Sequence, residues 1–249
     1  IEAQKLFDDG KTLLNQAIQE KWFDAKATIG FFPANSSGDD IILHNKKINL
    51  YNLRQQIAKR GGKPNYCLSD FIAPVDSGKK DWIGGFAVTA GFNVEKIGQD
   101  FADNNDDYKS IMIKILGDRI AEALAEKMHE KVRNELWGYS ENECLNNEDL
   151  IKEKYIGIRP APGYPSCPDH SEKLALFNLI DIANNSKLQL TESYAIYPAS
   201  SVSGWYFSHP ESRYFGISRI SEEQLIDYSK RKKMEKEQLI KIFPQVIDL

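Results

Sequence analysis

Apolar residues recur every three or four positions in two long stretches of the chain, which is the pattern of a helix with one buried face. Leu6, Leu13 and Ala17 set this spacing within residues 2–21, and the longer stretch covers residues 107–137. The core-facing residues predicted for the longer stretch are Ile113, Leu116, Ile120, Leu124, Met128, Val132 and Leu136. The pattern therefore predicts an N-terminal helix and a long central helix.

Short apolar runs bounded by turn residues predict strands in much of the remaining chain. The predicted strands cover residues 28–32 (ended by Pro33), 40–44, 48–51, 67–74, 82–90, 188–197, 204–207 and 213–217. Further helices are predicted over 174–183 and near the C-terminus, where Ser221 and Gln224 form a capping box. Because strands occur in groups separated by helices, we expect an α+β fold, a single domain over 1–249 with a mainly antiparallel sheet flanked by helices.

Composition narrows the class of protein. The chain has 249 residues, 41% hydrophobic, with a formal net charge of −4, so neither a nucleic-acid partner nor a membrane partner is expected. Its three cysteines are widely spaced and odd in number, which favours a reducing cytoplasm over a disulfide framework. The first residue is Ile1, which leads us to expect a piece of something longer or a processed product.

The segment from Gly157 to His170 carries the most distinctive chemistry. Its sequence, GIRPAPGYPSCPDH, contains four prolines and two glycines, which predicts a stiff loop with backbone groups turned outward. Arg159 within it offers a planar fork suited to a carboxylate ligand. The alternative is that Arg159 pairs with a structural acid such as Glu153.

Other groups of residues could form a functional site, but each also has a purely structural interpretation or lacks supporting residues. Cys167 and His170 could ligate zinc or form a nucleophilic pair, but no second Cys/His pair stands at ligand spacing. The acids Asp118, Glu122 and Glu126 could receive a cation or simply face solvent. The basic run 230–233 is either a solvated helix end or a dock for an acidic partner.

Aromatic residues are dense between positions 197 and 215 and include Tyr214 and Phe215. Most are expected in the core, and others could stack on a flat ligand such as adenine. A dinucleotide-binding G-x-G-x-x-G turn is absent from the sequence, which disfavours both a Rossmann-type cofactor site and a generic methyltransferase that binds its methyl donor at such a turn.

The proline-rich segment resembles the S-adenosylmethionine (AdoMet) loop in the activation domain of cobalamin-dependent methionine synthase. The resemblance extends over essentially the whole chain. The other motifs that carry it are FPAN at 32–35 with GDD at 38–40, LRQQ at 53–56, YCLSDFIAP at 66–74, GDR at 117–119 and VSGWYFSHP at 202–210.

This resemblance implies a reactivation function. The family's enzyme is a methyltransferase whose cobalamin is occasionally oxidised to inactive cob(II)alamin, and the activation domain presents the AdoMet methyl group for reductive remethylation. The implied cofactors are AdoMet and cobalamin, the latter bound mainly by a neighbouring domain. The implied partners are the cobalamin-binding domain of the same enzyme and a flavodoxin or flavoprotein reductase that supplies one electron.

The resemblance also assigns roles to individual residues. Arg159 is expected to bind the methionyl carboxylate, and backbone groups around Ala161 and Gly163 to contact the adenosine. Tyr164 is expected to face the corrin. The nucleoside is expected to be lined by Tyr214 and Phe215. Glu153 and Glu122 are the expected acids near the sulfonium.

One departure from the family concerns an upstream acidic segment that helps bind the AdoMet amino group, which we expect to be missing from 1–249. An alternative function is a non-catalytic module that docks the cobalamin domain and a flavoprotein reductase, suggested by the basic run 230–233. On either interpretation the fragment alone is not expected to complete methionine synthesis.

Overall fold

The computed structural model describes residues 2–247 except the side chain of Arg60. The helices are α1 (Glu2–Gln19), α2 (Val94–Asp103), α3 (Asp107–Lys131), α4 (Asn147–Ile151), α5 (Lys173–Leu179), α6 (Ile182–Asn185), α7 (Glu222–Lys232) and α8 (Lys236–Ile242). The strands are β1 (Lys26–Ser37), β2 (Asp40–Leu43), β3 (Ile48–Leu50), β4 (Asp81–Thr89), β5 (Gln189–Leu190), β6 (Ile196–Tyr197) and β7 (Ser201–Tyr206).

A five-stranded sheet in the order β3-β2-β1-β4-β7 is the main sheet of the described chain. Strand β2 pairs antiparallel with both neighbours, Ala34 lying opposite Leu43 and Ile41 opposite Leu50. The predicted α+β class with mainly antiparallel sheet is therefore confirmed, as is the hairpin formed by β2 and β3.

The backbone clusters into two compact units, as far as their residues are described. The first comprises Ile1–Thr28, Ala87–Met128 and Ile182–Val202, and the second Ile29–Phe86, His129–Asp181 and Ser203–Leu249. In the first unit, Leu13 and Ala17 of α1 pack with Met112 and Ile113 of α3. A core cluster of the second unit contains Leu53, Ile217, Ile220, Leu225, Tyr228, Leu239, Phe243 and Val246.

The two long predicted helices are present as α1 and α3, and α3 continues into a π-helical turn, Val132–Leu136. The predicted apolar stripe fails at its end, because Leu136 is 51% exposed while His129 and Arg133 are fully buried. Helix α2 was not predicted from the sequence, although Ile97 and Phe101 have helical spacing and pack on the first unit's core.

In or near the main sheet, one predicted strand is present but extends beyond its predicted end, and another predicted strand is wrong. Strand β1 continues through Pro33 to Ser37, and its ladder with β2 begins at Ala34, so the missing N–H of Pro33 costs no bond with β2. Residues 67–74 contain a 3-10 helix, Leu68–Phe71, instead of a strand. The Asp70 carboxylate accepts a 2.9 Å hydrogen bond from the Cys67 amide, and this local bond favours the turn over extended backbone.

Two more strand predictions need correction in the C-terminal half. Residues 188–197 form two short antiparallel strands, β5 and β6, because the Thr191 hydroxyl accepts from the Ala195 amide at 3.0 Å and closes a turn between them. Residues 213–217 form no strand. Ser221 does cap α7 by accepting from the Gln224 amide at 3.3 Å, whereas the Gln224 side chain donates to the Arg54 carbonyl.

Across residues 2–247, none of the helices combines the length and apolar character that crossing a bilayer requires.

Candidate functional site

The proline-rich loop is bonded into its surroundings through its backbone. Ile158 and Phe207 exchange two amide–carbonyl hydrogen bonds of 3.0 Å, and the Trp205 amide donates to the Pro160 carbonyl at 2.9 Å. On the other side of the loop, the Ile217 amide donates to the Pro165 carbonyl at 2.8 Å. The prediction that these backbone groups point outward is therefore wrong. Proline lacks a donor but keeps its carbonyl, so prolines here accept from neighbouring segments.

A tight turn at Gly163 depends on glycine. Its φ is +96°, a conformation that L side chains rarely adopt, and an added Cβ would overlap the imidazole of His170. The Gly163 amide donates to the Cys167 carbonyl at 2.7 Å, and the Tyr164 amide donates to the Ala161 carbonyl at 3.1 Å. The backbone at Ala161 and Gly163 is thereby fixed in one arrangement.

Hydrogen bonds hold both the backbone and the side chain of Arg159. Its backbone amide donates to the Tyr214 hydroxyl at 3.0 Å. Its terminal nitrogen Nη1 lies 3.1 Å from Nδ1 of His129 and donates to the Tyr155 hydroxyl at 3.3 Å. The structure thus brings together Arg159 and Tyr214, two of the predicted site residues, and it adds His129 and Tyr155, which the sequence analysis did not single out.

His129 is a buried, uncharged base within this site. Its side chain is fully inaccessible, and burial lowers its pKa well below the usual range, with the nearby charges of Arg133 and Arg159 acting in the same direction. The buried guanidinium of Arg133 is balanced by the Glu143 carboxylate, whose oxygens lie 2.6 to 2.9 Å from its nitrogens. The four-residue spacing of His129 and Arg133, one helical turn, was the available sequence signal for a shared buried face.

The segment that was predicted as a strand, 213–217, instead lies along the loop. The Ser166 hydroxyl donates to the Phe215 carbonyl at 2.5 Å. The Phe215 ring packs 6.0 Å from the Tyr66 ring and 6.3 Å from the Phe71 ring, measured between centroids. These contacts with the loop and with aromatic neighbours replace the ladder bonds that a strand would have made.

Tyr164 is an exposed side chain of the loop, with 59% of its surface accessible. An open cavity of about 490 Å³ lies beside it, lined by Gly163, Tyr164, Pro165, Pro168, Gly216 and Ile217 among others. An aromatic ring in this position is available to contact a large planar partner.

The two predicted acids lie on the protein surface. Glu122 on α3 accepts a 2.8 Å hydrogen bond from Arg119, and both side chains are more than half exposed. Glu153 is exposed and has left-handed backbone with φ +52° just after α4. Their roles near the sulfonium stay predictions.

The metal and nucleophile alternatives find little support in the geometry. Cys167 is buried, and burial raises the pKa of its thiol well above the ordinary value, which disfavours the thiolate that either role needs. The Lys173 ammonium lies 2.9 Å from Nδ1 of His170. Within the described part of the chain, no group of three or more His, Cys, Asp or Glu residues is arranged to hold a metal ion.

The basic run 230–233 is only partly a solvated helix end. Arg231 pairs with Asp40 and, at 2.7 Å, with Asp227. Lys232 pairs with Asp169 and Glu172, and both carboxylates are buried. Lys230 and Lys233 are the exposed members of the run.

Comparison with known proteins agrees with this architecture. Residues 1–233 match the family model described as "Vitamin B12 dependent methionine synthase, activation domain". A crystal structure of the MetH reactivation domain bound to AdoHcy is 45% identical in sequence and superposes with a TM-score of 0.94, and the match covers 100% of this chain and 78% of that one. The chain therefore belongs to the activation-domain family of vitamin B12-dependent methionine synthase, a methyltransferase.

Proposed function

We propose that this chain binds AdoMet along the proline-rich loop and that Arg159 binds the methionyl carboxylate. The observation that carries the proposal is the fixation of Arg159 by Tyr214 at its backbone and by His129 and Tyr155 at Nη1. A guanidinium whose orientation is set before the ligand arrives loses little entropy on binding.

The surroundings of Arg159 fit the rest of the ligand. The backbone at Ala161 and Gly163 is the proposed contact to the adenosine, and Gly163 has no Cβ to obstruct it. Tyr214 and Phe215 supply half-buried aromatic surface for the nucleoside. AdoHcy in the related crystal structure is the product of AdoMet after methyl transfer, which supports the same ligand class here.

The proposed reaction remethylates oxidised cobalamin, which is the substrate of this domain. One electron reduces cob(II)alamin to cob(I)alamin, whose electron pair attacks the AdoMet methyl carbon. The carbon–sulfur bond breaks with its electrons moving to sulfur, giving methylcobalamin and neutral AdoHcy. The cobalt is the nucleophile, so the domain's contribution is to position the methyl group and exclude water. Exposed Tyr164 is the proposed contact to the corrin.

Family membership implies association with other domains of the methionine synthase. We propose that the cobalamin-binding domain of the same enzyme carries the cobalamin that accepts the methyl group, and that a flavodoxin or flavoprotein reductase donates the electron. The three cysteines are unpaired thiols, which supports a reducing compartment such as the cytoplasm.

Isothermal titration calorimetry with AdoMet tests the proposal. Replacing Arg159 with alanine is expected to weaken binding by about 2 kcal/mol, because a charge-assisted pair is lost. Arg219→Ala, which removes an exposed guanidinium, is the matched control and should bind as the parent does. Absence of any heat at millimolar AdoMet, both from this chain and from the chain joined to the family's upstream acidic segment, would refute the proposed ligand.

The alternative of a purely docking module rested on the basic run 230–233. Because Arg231 and Lys232 are engaged in ion pairs within the domain, the run offers less charge to an acidic partner than its sequence suggests. A reductase complex that forms equally well with and without AdoMet, and that dissociates as salt is raised, would favour this alternative.

A further inference from the structure

The contact between Arg159 and His129 is unusual because both partners carry nitrogen donors. The distance from Nη1 of Arg159 to Nδ1 of His129 is 3.1 Å, within hydrogen-bond range. A guanidinium nitrogen can only donate, so Nδ1 must be the acceptor and must carry no proton. The remaining proton then lies on Nε2, which is 3.3 Å from the Tyr139 hydroxyl and can donate to it.

The packing around His129 fixes its ring in this orientation. The imidazole stacks on the Tyr206 ring with centroids 5.2 Å apart and planes inclined by 16°. The Tyr155 ring meets it edge-on at 5.1 Å. A stacked ring with one nitrogen bonded to Tyr139 has little freedom to turn, so the lone pair on Nδ1 stays directed at Arg159.

We propose that His129 is a positioning residue for the ligand carboxylate: its unprotonated Nδ1 holds Nη1 of Arg159 and so sets the plane of the guanidinium. This inference deepens the proposed function and rests on it. A bidentate pair with a carboxylate depends on the orientation of the guanidinium plane, so an arginine that is free to rotate binds less tightly.

The charges around His129 are consistent with an uncharged acceptor. The titratable and charged groups that face it are Arg133, Arg159, Tyr139, Tyr155 and Tyr206, of which the two arginines are cationic. A protonated imidazole would add a positive charge next to Arg159 and to the Arg133–Glu143 pair in a buried site, and it would lose the lone pair that accepts from Arg159. The site therefore holds histidine as a base whose function is hydrogen-bond acceptance.

The test compares three substitutions of His129 that differ in whether, and where, they provide a hydrogen-bond acceptor. His129→Phe keeps the stack on Tyr206 and removes both nitrogens. His129→Asn places an amide oxygen near the position of Nδ1, and His129→Gln places it near that of Nε2. Calorimetry with AdoMet and with decarboxylated AdoMet, which lacks only the carboxylate, separates carboxylate recognition from binding of the rest of the ligand.

We expect His129→Phe to weaken AdoMet binding about 10-fold, because the hydrogen bond that orients Arg159 is lost. Binding of decarboxylated AdoMet should weaken by less than about 2-fold. His129→Asn should recover most of the lost affinity and His129→Gln should not. Equal weakening of both ligands by His129→Phe would show a merely structural role and overturn the inference, as would parent-like AdoMet binding.

If His129→Phe fails to fold, the contrast between the asparagine and glutamine variants decides the matter, and equal affinities for AdoMet overturn the inference. Failure of the parent protein to bind AdoMet is a separate result, because it removes the proposed function whatever the variants do.

Discussion

The ammonium of Lys232, in the last turn of α7, lies 2.7 Å from Oδ2 of Asp169, which belongs to the proline-rich loop. Both side chains are less than a tenth exposed, and Lys232 also pairs with the buried carboxylate of Glu172. The Tyr228 hydroxyl donates to the same Asp169 oxygen at 2.8 Å. One lysine thus balances two buried acids and ties the end of the loop to the C-terminal helix.

Removing the ammonium of Lys232 should lower the free energy of unfolding. Lys232→Met leaves two buried carboxylates without their cation, and loss of one partner of a buried pair typically destabilises a protein by about 3 kcal/mol. The free energy of unfolding from urea denaturation is the measurement. Lys230→Met, on the exposed side of the same helix, should change it by less than about 0.5 kcal/mol. Similar values for the two variants would contradict the assignment of Lys232 to a buried cluster.

Glu172 should make stability depend on pH in an unusual direction. Burial raises its pKa from an ordinary 4.5 to about 7, despite the opposing effect of Lys232. The folded state then holds the Glu172 proton more tightly than the unfolded chain does. Between these two values the free energy of unfolding therefore falls as pH rises, since the unfolded chain releases the proton first.

Glu172→Gln removes this titration and serves as the reference. The stability of the parent relative to Glu172→Gln should decrease between pH 5 and pH 7 and level off above the folded pKa of about 7. Urea denaturation of both proteins across this range checks the sign. A difference that stays constant or rises with pH would show that Glu172 is already ionised in the folded protein.

The sequence predicted the irregular loop but not the hydrogen bonds that hold its residues in place. Prolines and glycines close together in the chain identify an irregular segment by local rules, and Arg159 was singled out within it. The partners of Arg159 are distant in sequence, 30 positions away for His129 and 55 for Tyr214. The resemblance named Tyr214 as a residue lining the nucleoside but not as a partner of Arg159, and His129 was not singled out, because a lone histidine on a helix carries no pairing information.

Contacts between residues distant in sequence also explain the errors in the predicted fold. Residues 213–217 alternate as a strand does, but their backbone groups bond to the loop through Pro165 and Ser166. The basic run was interpreted as a solvated helix end because Asp40, Asp169 and Glu172, which pair with Arg231 or Lys232, lie far away in the sequence. The α+β class, the hairpin of β2 and β3 and the long helices were predictable because they follow from local periodicity.

Gly163 should tolerate no side chain. Gly163→Ala requires a residue at φ +96° and places a Cβ against the His170 ring, so we expect a loss of about 2 kcal/mol or more in stability together with weakened AdoMet binding. Gly38→Ala is the matched control, because Gly38 also has positive φ, +59°, but an added Cβ meets no atom within 4 Å. Thermal unfolding and calorimetry should show the smaller cost of backbone strain alone in Gly38→Ala, about 1 kcal/mol. Equal costs would mean that His170 moves aside without penalty.

Tyr214→Phe should separate the hydroxyl of Tyr214 from its ring. The hydroxyl accepts from the Arg159 amide at 3.0 Å, whereas the ring is the proposed contact to the nucleoside. Loss of the hydroxyl leaves a half-buried backbone donor without this acceptor, which should cost about 1 kcal/mol in AdoMet affinity by loosening Arg159. Tyr197→Phe, whose parent residue is 55% exposed, is the control and should bind as the parent does. If Tyr214→Leu, which also removes the ring, binds AdoMet no more weakly than Tyr214→Phe, then the ring does not contact the nucleoside and the hydrogen bond to Arg159 is the residue's contribution to the site.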